Sequence, residues 1–252
     1  MQKYKILYER KKLLPDGTSV YRIQALHDFG DIKEGTIGGY VASCNNLSHR
    51  GLCWVADDAI ATEFSFVQKD ALLSGNAKLS GFAWIGGKVH VTDHAELTDY
   101  TSAYDNAFIG GFARLCEGAS VFENGHVETK YQRDFMTMRG LTTVRGNARL
   151  LDHAAMYDKS LLDGDAILRG NAALRENAHL GDLSIAEQWS RISGDAFVCR
   201  HVRIAGHTHV TGDATIDGHV MIDGKSYVTC KVRLGGRQHY RNVTFSGDLI
   251  LF

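Results

Sequence analysis

The chain has 252 residues, of which 44% are hydrophobic and 23% are charged, and its formal net charge is −1. This balance argues against a general nucleic-acid-binding protein, because phosphate-driven affinity needs a clustered excess of Lys and Arg. No apolar stretch has transmembrane length and the N-terminus mixes charged with apolar residues, so we expect a cytoplasmic protein without a membrane partner. The five cysteines include no CxxC pair, which predicts neither a disulfide framework nor a zinc ribbon.

Residues 1–48 lack the regular pattern of the remaining chain. KYKILYE and VYRIQAL have the composition of two strands, and LLPDGTS between them is a turn signal, so we predict a β-hairpin. A glycine-rich segment follows. Because an open sheet edge invites association with other strands, we interpret this region as an N-terminal cap.

Most of the remaining chain repeats every six residues. Between Val144 and Leu234 a large aliphatic residue occupies almost every sixth position, and a small residue usually follows four places later; the range from Val55 to Val127 keeps the same rule. Six is even, so in an extended chain these side chains all point the same way, whereas a helix would scatter them. Gly or Asp is frequent two places after the large residue, which predicts a corner. The sequence therefore predicts an all-β solenoid.

The repeat divides into two blocks, which we place at 49–127 and 144–252, the second including a C-terminal strand. Val127 and Val144 are 144 minus 127, or 17, residues apart, which is not a multiple of six. We therefore predict that 128–143 leaves the coil as an inserted loop or forms an irregular turn. The C-terminal VTFSGDLILF either pairs with the last coil or packs in an oligomer interface.

Hexads such as LSGNAK, LRGNAA and VTGDAT resemble those of the bacterial hexapeptide-repeat proteins. RIQALHDFGDIKEGTIGGYV with NLSHRGLCWVADDA also resembles the start of the enterobacterial YdcK-type proteins, which carry an acetyltransferase label. The resemblance covers roughly residues 21 to 245 and implies a single-stranded left-handed parallel β-helix with three hexads per coil. The best-known members are homotrimeric acyltransferases. They favour Gly directly after the large aliphatic residue, whereas this chain has Gly or Asp one place later.

If three hexads close one coil, residues 18 apart stack at roughly 4.8 Å. One outer column then carries Phe64, Phe82 and Tyr100, and the next carries Phe66 and Trp84. We call these five residues the aromatic stripe. Such a cluster is too apolar for a free surface. It is either covered by the N-terminal cap or forms an oligomer or partner interface.

The C-terminal coils are basic and rich in histidine. Residues 190–241 contain eight Lys or Arg, four Asp and no Glu, a balance of 8 minus 4, or +4, together with five His. This composition suits an anionic ligand such as the phosphates of coenzyme A. The candidate ligand-binding residues are Trp189, Arg191, His201, Arg203, His219 and Lys225.

The resemblance implies acetyl-CoA as donor and a histidine as general base, for which His207 and His209 are the candidates because imidazole titrates near neutral pH. Alternatively, they are ordinary exposed turn residues. A zinc site built from His201, His207 and His219 is a further hypothesis, but no ligand motif supports it and we expect no metal.

Two functions remain open. The first is an acyl-CoA-dependent acyltransferase that acts on a small-molecule hydroxyl or amine, with the segment carrying Tyr131, Arg133, Asp134 and Phe135 reaching over a neighbouring subunit. The second is a non-catalytic oligomeric β-helix that binds an anionic ligand or a protein partner.

Overall fold

A computed structural model describes residues 2–129 and 137–252 and shows a parallel β-solenoid, which confirms the predicted all-β repeat fold. Each coil contributes one short strand to each of three faces, and residues 18 apart are paired, as Phe66 is with Trp84. A coil therefore contains three hexads, as expected. Tyr131, Arg133, Asp134 and Phe135 lie outside the described residues. Within the described part of the chain, no helix has the length and apolar character needed to cross a membrane.

The strands of the described residues group into three sheets, and face 1 is the sheet that includes the strands of the cap. Face 1 consists of Tyr4–Leu13, Ser19–Ala25, Ile37–Val41, Ile60–Ala61, Lys78–Leu79, Glu96–Leu97, Arg114–Glu117, Thr137–Gly140, Ala155–Asp158, Ala173–Leu174, Arg191–Ile192, His209–Val210, Tyr227–Val228 and Thr244–Phe245. Face 2 consists of Phe66–Val67, Trp84–Ile85, Ser102–Ala103, Ser120–Val121, Thr143–Val144, Leu161–Leu162, His179–Leu180, Phe197–Val198, Thr215–Ile216, Arg233–Leu234 and Ile250–Leu251. Face 3 consists of Trp54–Val55, Leu72–Leu73, His90–Val91, Phe108–Gly111, His126–Thr129, Arg149–Leu151, Ile167–Leu168, Ile185–Ala186, Arg203–Ile204, His219–Asp223 and Arg237–Arg241.

The predicted large and small positions both face inward and form one continuous core. Leu97 and Leu168 in the large position, and Ala95 and Ala166 in the small position, are completely buried. The large aliphatic residue lies on a strand and the small residue lies just before the next strand, where the chain turns and space is limited. Every coil can therefore repeat the same packing on its neighbour.

The corners explain why Asp and Glu alternate with Gly in this repeat. Asp57, Glu63 and Glu176 all have positive φ, and the side chain of each accepts a hydrogen bond from a backbone N–H one coil further on. The Glu176 bond reaches the N–H of Gly194 at 2.6 Å. An acidic corner residue therefore adopts the left-handed backbone and also ties two coils together.

One corner requires glycine. At Gly111, φ is +66° and an added Cβ would lie 1.6 Å from the carbonyl oxygen of Thr129. No side chain fits so close to the backbone of the next coil.

The N-terminal region forms the predicted hairpin. The strand Tyr4–Leu13 pairs antiparallel with Ser19–Ala25, which pairs antiparallel with Ile37–Val41. The last of these runs parallel to Ile60–Ala61, so it joins the hairpin to the first coil. A 3-10 turn, Cys44–Asn46, follows with Ser43 as its N-cap.

The change of register lies between faces 3 and 1. Leu115 pairs with Met138, 138 minus 115, or 23, residues later, instead of the usual 18. The five additional residues fall between Thr129 and Thr137, and the strand Thr137–Gly140 continues face 1 within the range 128–143. At the C-terminus, Thr244–Phe245 and Ile250–Leu251 pair with the preceding coil, which is the first of the two alternatives predicted for that segment.

The corner hydrogen bond predicts a specific loss of stability. We expect Glu176→Ala to lower the free energy of unfolding by about 1 kcal/mol, because the N–H of Gly194 loses its acceptor. Glu176→Gln should have little effect, since Gln188 makes the equivalent bond to the N–H of Gly206 at 2.7 Å. Chemical denaturation of the three proteins measures both differences. Equal stability of the Ala and Gln variants would contradict this role.

Candidate functional site

Five of the predicted site residues gather where the chain passes from face 3 to face 1. We call this group the basic edge; it consists of Trp189, Arg191, His207, His209 and Lys225. Trp189 and His207 are stacked, with ring centroids 6.2 Å apart and planes 6° apart. Arg191 pairs in register with His209 on face 1, and the His209 ring stacks on Tyr227 at 5.3 Å. The stacking of coils therefore places two columns that contain cationic and titratable side chains next to each other.

The electrostatics of this edge act on His209. Burial, and then the positive charges of Arg191 and His207, hold the pKa of the His209 imidazole below its ordinary value of 6.5. A neutral imidazole is thereby favoured at pH 7. That is the form in which a histidine can accept a proton from a substrate.

The other predicted ligand-binding residues lie elsewhere. His201 and His219 stack at 4.5 Å where face 2 passes into face 3. Arg203 is on face 3, where it and Arg169 donate through Nε to the two carboxylate oxygens of Glu187 at 2.7 and 2.8 Å. Hydrogen bonds from both arginines outweigh the effect of burial and lower the pKa of Glu187. Arg203 is therefore engaged in an ion pair, and the predicted set does not form one site within a single solenoid.

The three histidines considered as zinc ligands do not lie close together either. His207 belongs to the edge between faces 3 and 1, whereas His201 and His219 belong to the edge between faces 2 and 3. Among the residues that the structure describes, no group of three His, Cys, Asp or Glu side chains could hold a metal ion.

A histidine held by a carboxylate was not predicted from the sequence. On face 2, His179 Nε2 is 2.7 Å from Asp163 Oδ1, and Arg145 donates to the other oxygen of Asp163 at 3.0 Å. Burial raises the pKa of Asp163, but the hydrogen bonds from His179 and Arg145 outweigh it and hold the pKa below its usual value. The carboxylate fixes the orientation of the imidazole and leaves Nδ1 for a reacting group. The two residues are 16 positions apart, so a search of columns 18 apart does not find them.

Three rings of the aromatic stripe stack in the column that the sequence predicted. The rings of Phe64, Phe82 and Tyr100 are 5.0 Å apart and within 8° of parallel, along the edge between faces 1 and 2. Their exposed fractions are 73%, 50% and 69%, so the cap does not cover them. Phe66 and Trp84 are half-buried on face 2.

Comparison with known proteins adds one sequence similarity. Over 99 residues the chain is 32% identical to a protein of Escherichia coli (strain K12) named "Uncharacterized acetyltransferase YdcK". The match covers 36% of this chain and 28% of that protein, so this chain corresponds to under a third of the length of its curated relative. No family model matches the chain.

Solved structures with some similarity include three proteins named LpxA or UDP-N-acetylglucosamine acyltransferase. LpxA of Acinetobacter baumannii is 16% identical, with 76% of this chain and 66% of that chain aligned at a TM-score of 0.32. The enzyme of Moraxella catarrhalis is 12% identical over 79% and 70% of the two chains, with a TM-score of 0.27. The enzyme of Francisella novicida is 14% identical over 73% and 62%, also at 0.27.

The environment of His209 can be measured directly. In an NMR titration of the histidine ring protons, we expect its pKa to lie below 6.5 and to rise in Arg191→Ala, because a neighbouring positive charge is removed. Arg233→Ala, a change on face 2, should leave it unchanged. Because protonation is less favourable in the folded state, His209 lowers stability as the pH falls below 6.5. An ordinary pKa, or no response to Arg191→Ala, would contradict the proposed environment.

Proposed function

We propose that this protein is an acyltransferase that transfers an acyl group from acyl-CoA to the hydroxyl or amine of a small molecule. The basic edge carries the proposal, since it combines exposed cationic side chains with an imidazole whose pKa is lowered. The similarity to the protein named YdcK supports the same class of reaction. The fold alone does not, because one fold can host many activities.

The basic edge supplies the two functions that such a reaction needs. Arg191 and Lys225 provide positive charge for the phosphates of the donor, and the exposed ring of Trp189 can stack on a planar group. Neutral His209 accepts the proton of the acceptor hydroxyl or amine as its oxygen or nitrogen attacks the thioester carbonyl. The carbon–sulfur bond then breaks, and the proton passes from His209 to the departing thiolate. His207 is the alternative base on the same edge.

His179 is the other candidate base. Its imidazole is held by Asp163, an arrangement typical of histidines that must present one ring nitrogen to a substrate. It lies on face 2, across the solenoid from the basic edge. If His179 is the base, the basic edge of one subunit must lie next to His179 of another subunit, so that donor and acceptor meet between them. This arrangement agrees with the homo-oligomer that we also propose.

Binding of coenzyme A tests the proposal. We expect isothermal titration to detect CoA and acetyl-CoA, with affinity falling by about tenfold in Arg191→Ala and in Lys225→Ala as each charge-assisted contact is lost. Arg233→Ala and Lys231→Ala, in the same part of the solenoid but away from the edge, should bind normally. If the folded protein binds neither CoA nor acetyl-CoA, the proposal is wrong.

Activity measurements on histidine variants identify the general base. The assay measures thiol release from acetyl-CoA in the presence of small amines and alcohols. We expect one of the two variants, His209→Asn or His179→Asn, to lose this activity and the other to keep it. CoA binding must persist in the inactive variant. If both variants retain full activity, neither imidazole is the base and His207→Asn becomes the remaining test.

The alternative is a non-catalytic oligomeric module, and the exposure of the aromatic stripe favours it. Three stacked rings with half or more of their surface in water are stabilised when another protein surface covers them. The two functions are compatible, since an acyltransferase can also assemble through this edge. A homotrimer is the state implied by the family resemblance.

Self-association can be tested on the stripe itself. We expect Phe82→Glu to reduce the mass measured by light scattering to that of a smaller species, because a buried charge opposes the contact. Lys159→Glu, further along the same edge and beyond the stripe, is the matched control and should retain the native mass. An unchanged mass for Phe82→Glu, with native circular dichroism, would show that the stripe is not the contact.

A further inference from the structure

The aromatic stripe ends at a gap. Phe64, Phe82 and Tyr100 occupy successive rungs of the edge between faces 1 and 2, and one face of the Tyr100 ring stacks on Phe82. The next rung is Gly118, which has no side chain, and the one after it is Leu141. Among the described residues, no ring stacks on the other face of Tyr100.

Backbone geometry does not explain why this rung is glycine. Gly118 is absent from the residues with left-handed φ, in contrast to Gly111 and the other corner glycines. An added Cβ would meet only the side-chain atom Cδ2 of Leu141, at 2.7 Å, and the nearest backbone atom lies at 3.7 Å. A cleft of about 550 Å³ lies at this rung, lined by Asp99, Tyr100, Glu117, Gly118, Gly140 and Leu141.

The charged residues that line the cleft are both acidic. Asp99 Oδ2 accepts from the N–H of Glu117 at 3.0 Å and from Thr98 Oγ1 at 3.3 Å, and within the described residues Asp99 forms no ion pair. Glu117 Oε1 pairs with Arg139 Nε at 2.6 Å, which leaves its second oxygen. Two carboxylates therefore stand beside an aromatic face and an apolar wall.

We propose that this cleft binds an organic cation: an ammonium group attached to an apolar body. The face of Tyr100 attracts the cation through its π electrons, as in aromatic sites for quaternary ammonium groups. Asp99 adds Coulombic attraction, whereas the charge of Glu117 is largely balanced by Arg139, and Leu141 contacts the apolar body. A neutral ligand would use only the apolar wall, and an anion would be repelled. The proposal does not depend on acyl transfer, because the cleft and the basic edge lie on different edges of the solenoid.

Benzyltrimethylammonium chloride is a suitable probe. We expect it to shift the NMR signals of Tyr100 and Leu141 saturably at millimolar concentrations, whereas benzyl alcohol, which is neutral, and phenylacetate, which is anionic, should bind much more weakly. Tyr100→Leu keeps the site apolar but removes the π face, and should weaken binding about threefold to tenfold. Asp99→Asn should weaken it by a smaller factor, and Gly118→Leu should abolish it by filling the gap.

Matched controls show whether the probe binds specifically in this cleft. Tyr227→Leu and Asp213→Asn make the same chemical changes elsewhere and should leave affinity unchanged. Phe64→Glu lies two rungs from Tyr100 and disturbs the stripe without altering the cleft, so it should also bind the probe normally. Melting temperatures show whether Gly118→Leu is folded, and Gly118→Ala is the milder substitute if it is not. Equal affinity for benzyl alcohol, unchanged binding in Tyr100→Leu, or no binding to the native protein would each overturn the proposal.

Discussion

The stacking of one coil on the next is the constraint on which the structure depends. Most strands of the solenoid contain only two residues, too few for a stable hairpin or sheet on their own. Their backbone groups instead bond to the neighbouring coil, as the N–H of Trp84 does to the carbonyl of Thr101 at 2.9 Å. Corner residues such as Glu176 add a side-chain bond between the same two coils. No coil is stable alone, and each one fixes the position of the next.

This stacking places chemically similar side chains about one strand spacing apart. Aromatic rings tolerate the arrangement and stack, as Phe82 and Tyr100 do. Stacked charged residues attract each other only when they alternate in sign, as Glu96 does between Lys78 and Arg114, at 3.2 and 3.1 Å. The basic edge is different because Arg191 precedes His209 in one column and His207 precedes Lys225 in the next. Burial, and then this unfavourable charge, lower the pKa of His209 and favour its neutral imidazole.

The sequence predicted the core, the coil and the aromatic stripe because all three follow from counting. A period of six fixes which side chains point inward, and a period of 18 fixes which outer ones stack, including His201 on His219. The same counting places His201 and His207, six residues apart, on different edges, so their separation could also be predicted from the sequence. The directions of individual side chains could not be predicted in this way. His179 reaches Asp163, and Arg203 reaches Glu187, across neighbouring columns, and no periodicity specifies which rotamer makes such a diagonal contact.

A solenoid made of equivalent coils has uniform faces, so a binding site requires an interruption in a column. The basic edge is an interruption in charge, because an acid that would alternate with Arg191 and His209 is missing. The cleft beside Tyr100 is an interruption in volume, because Gly118 breaks a row that otherwise carries side chains. Neither change is required by the packing of the core, since the inward positions continue through both regions. A residue that departs from its column without a structural reason is therefore the strongest indication of function that this fold can offer.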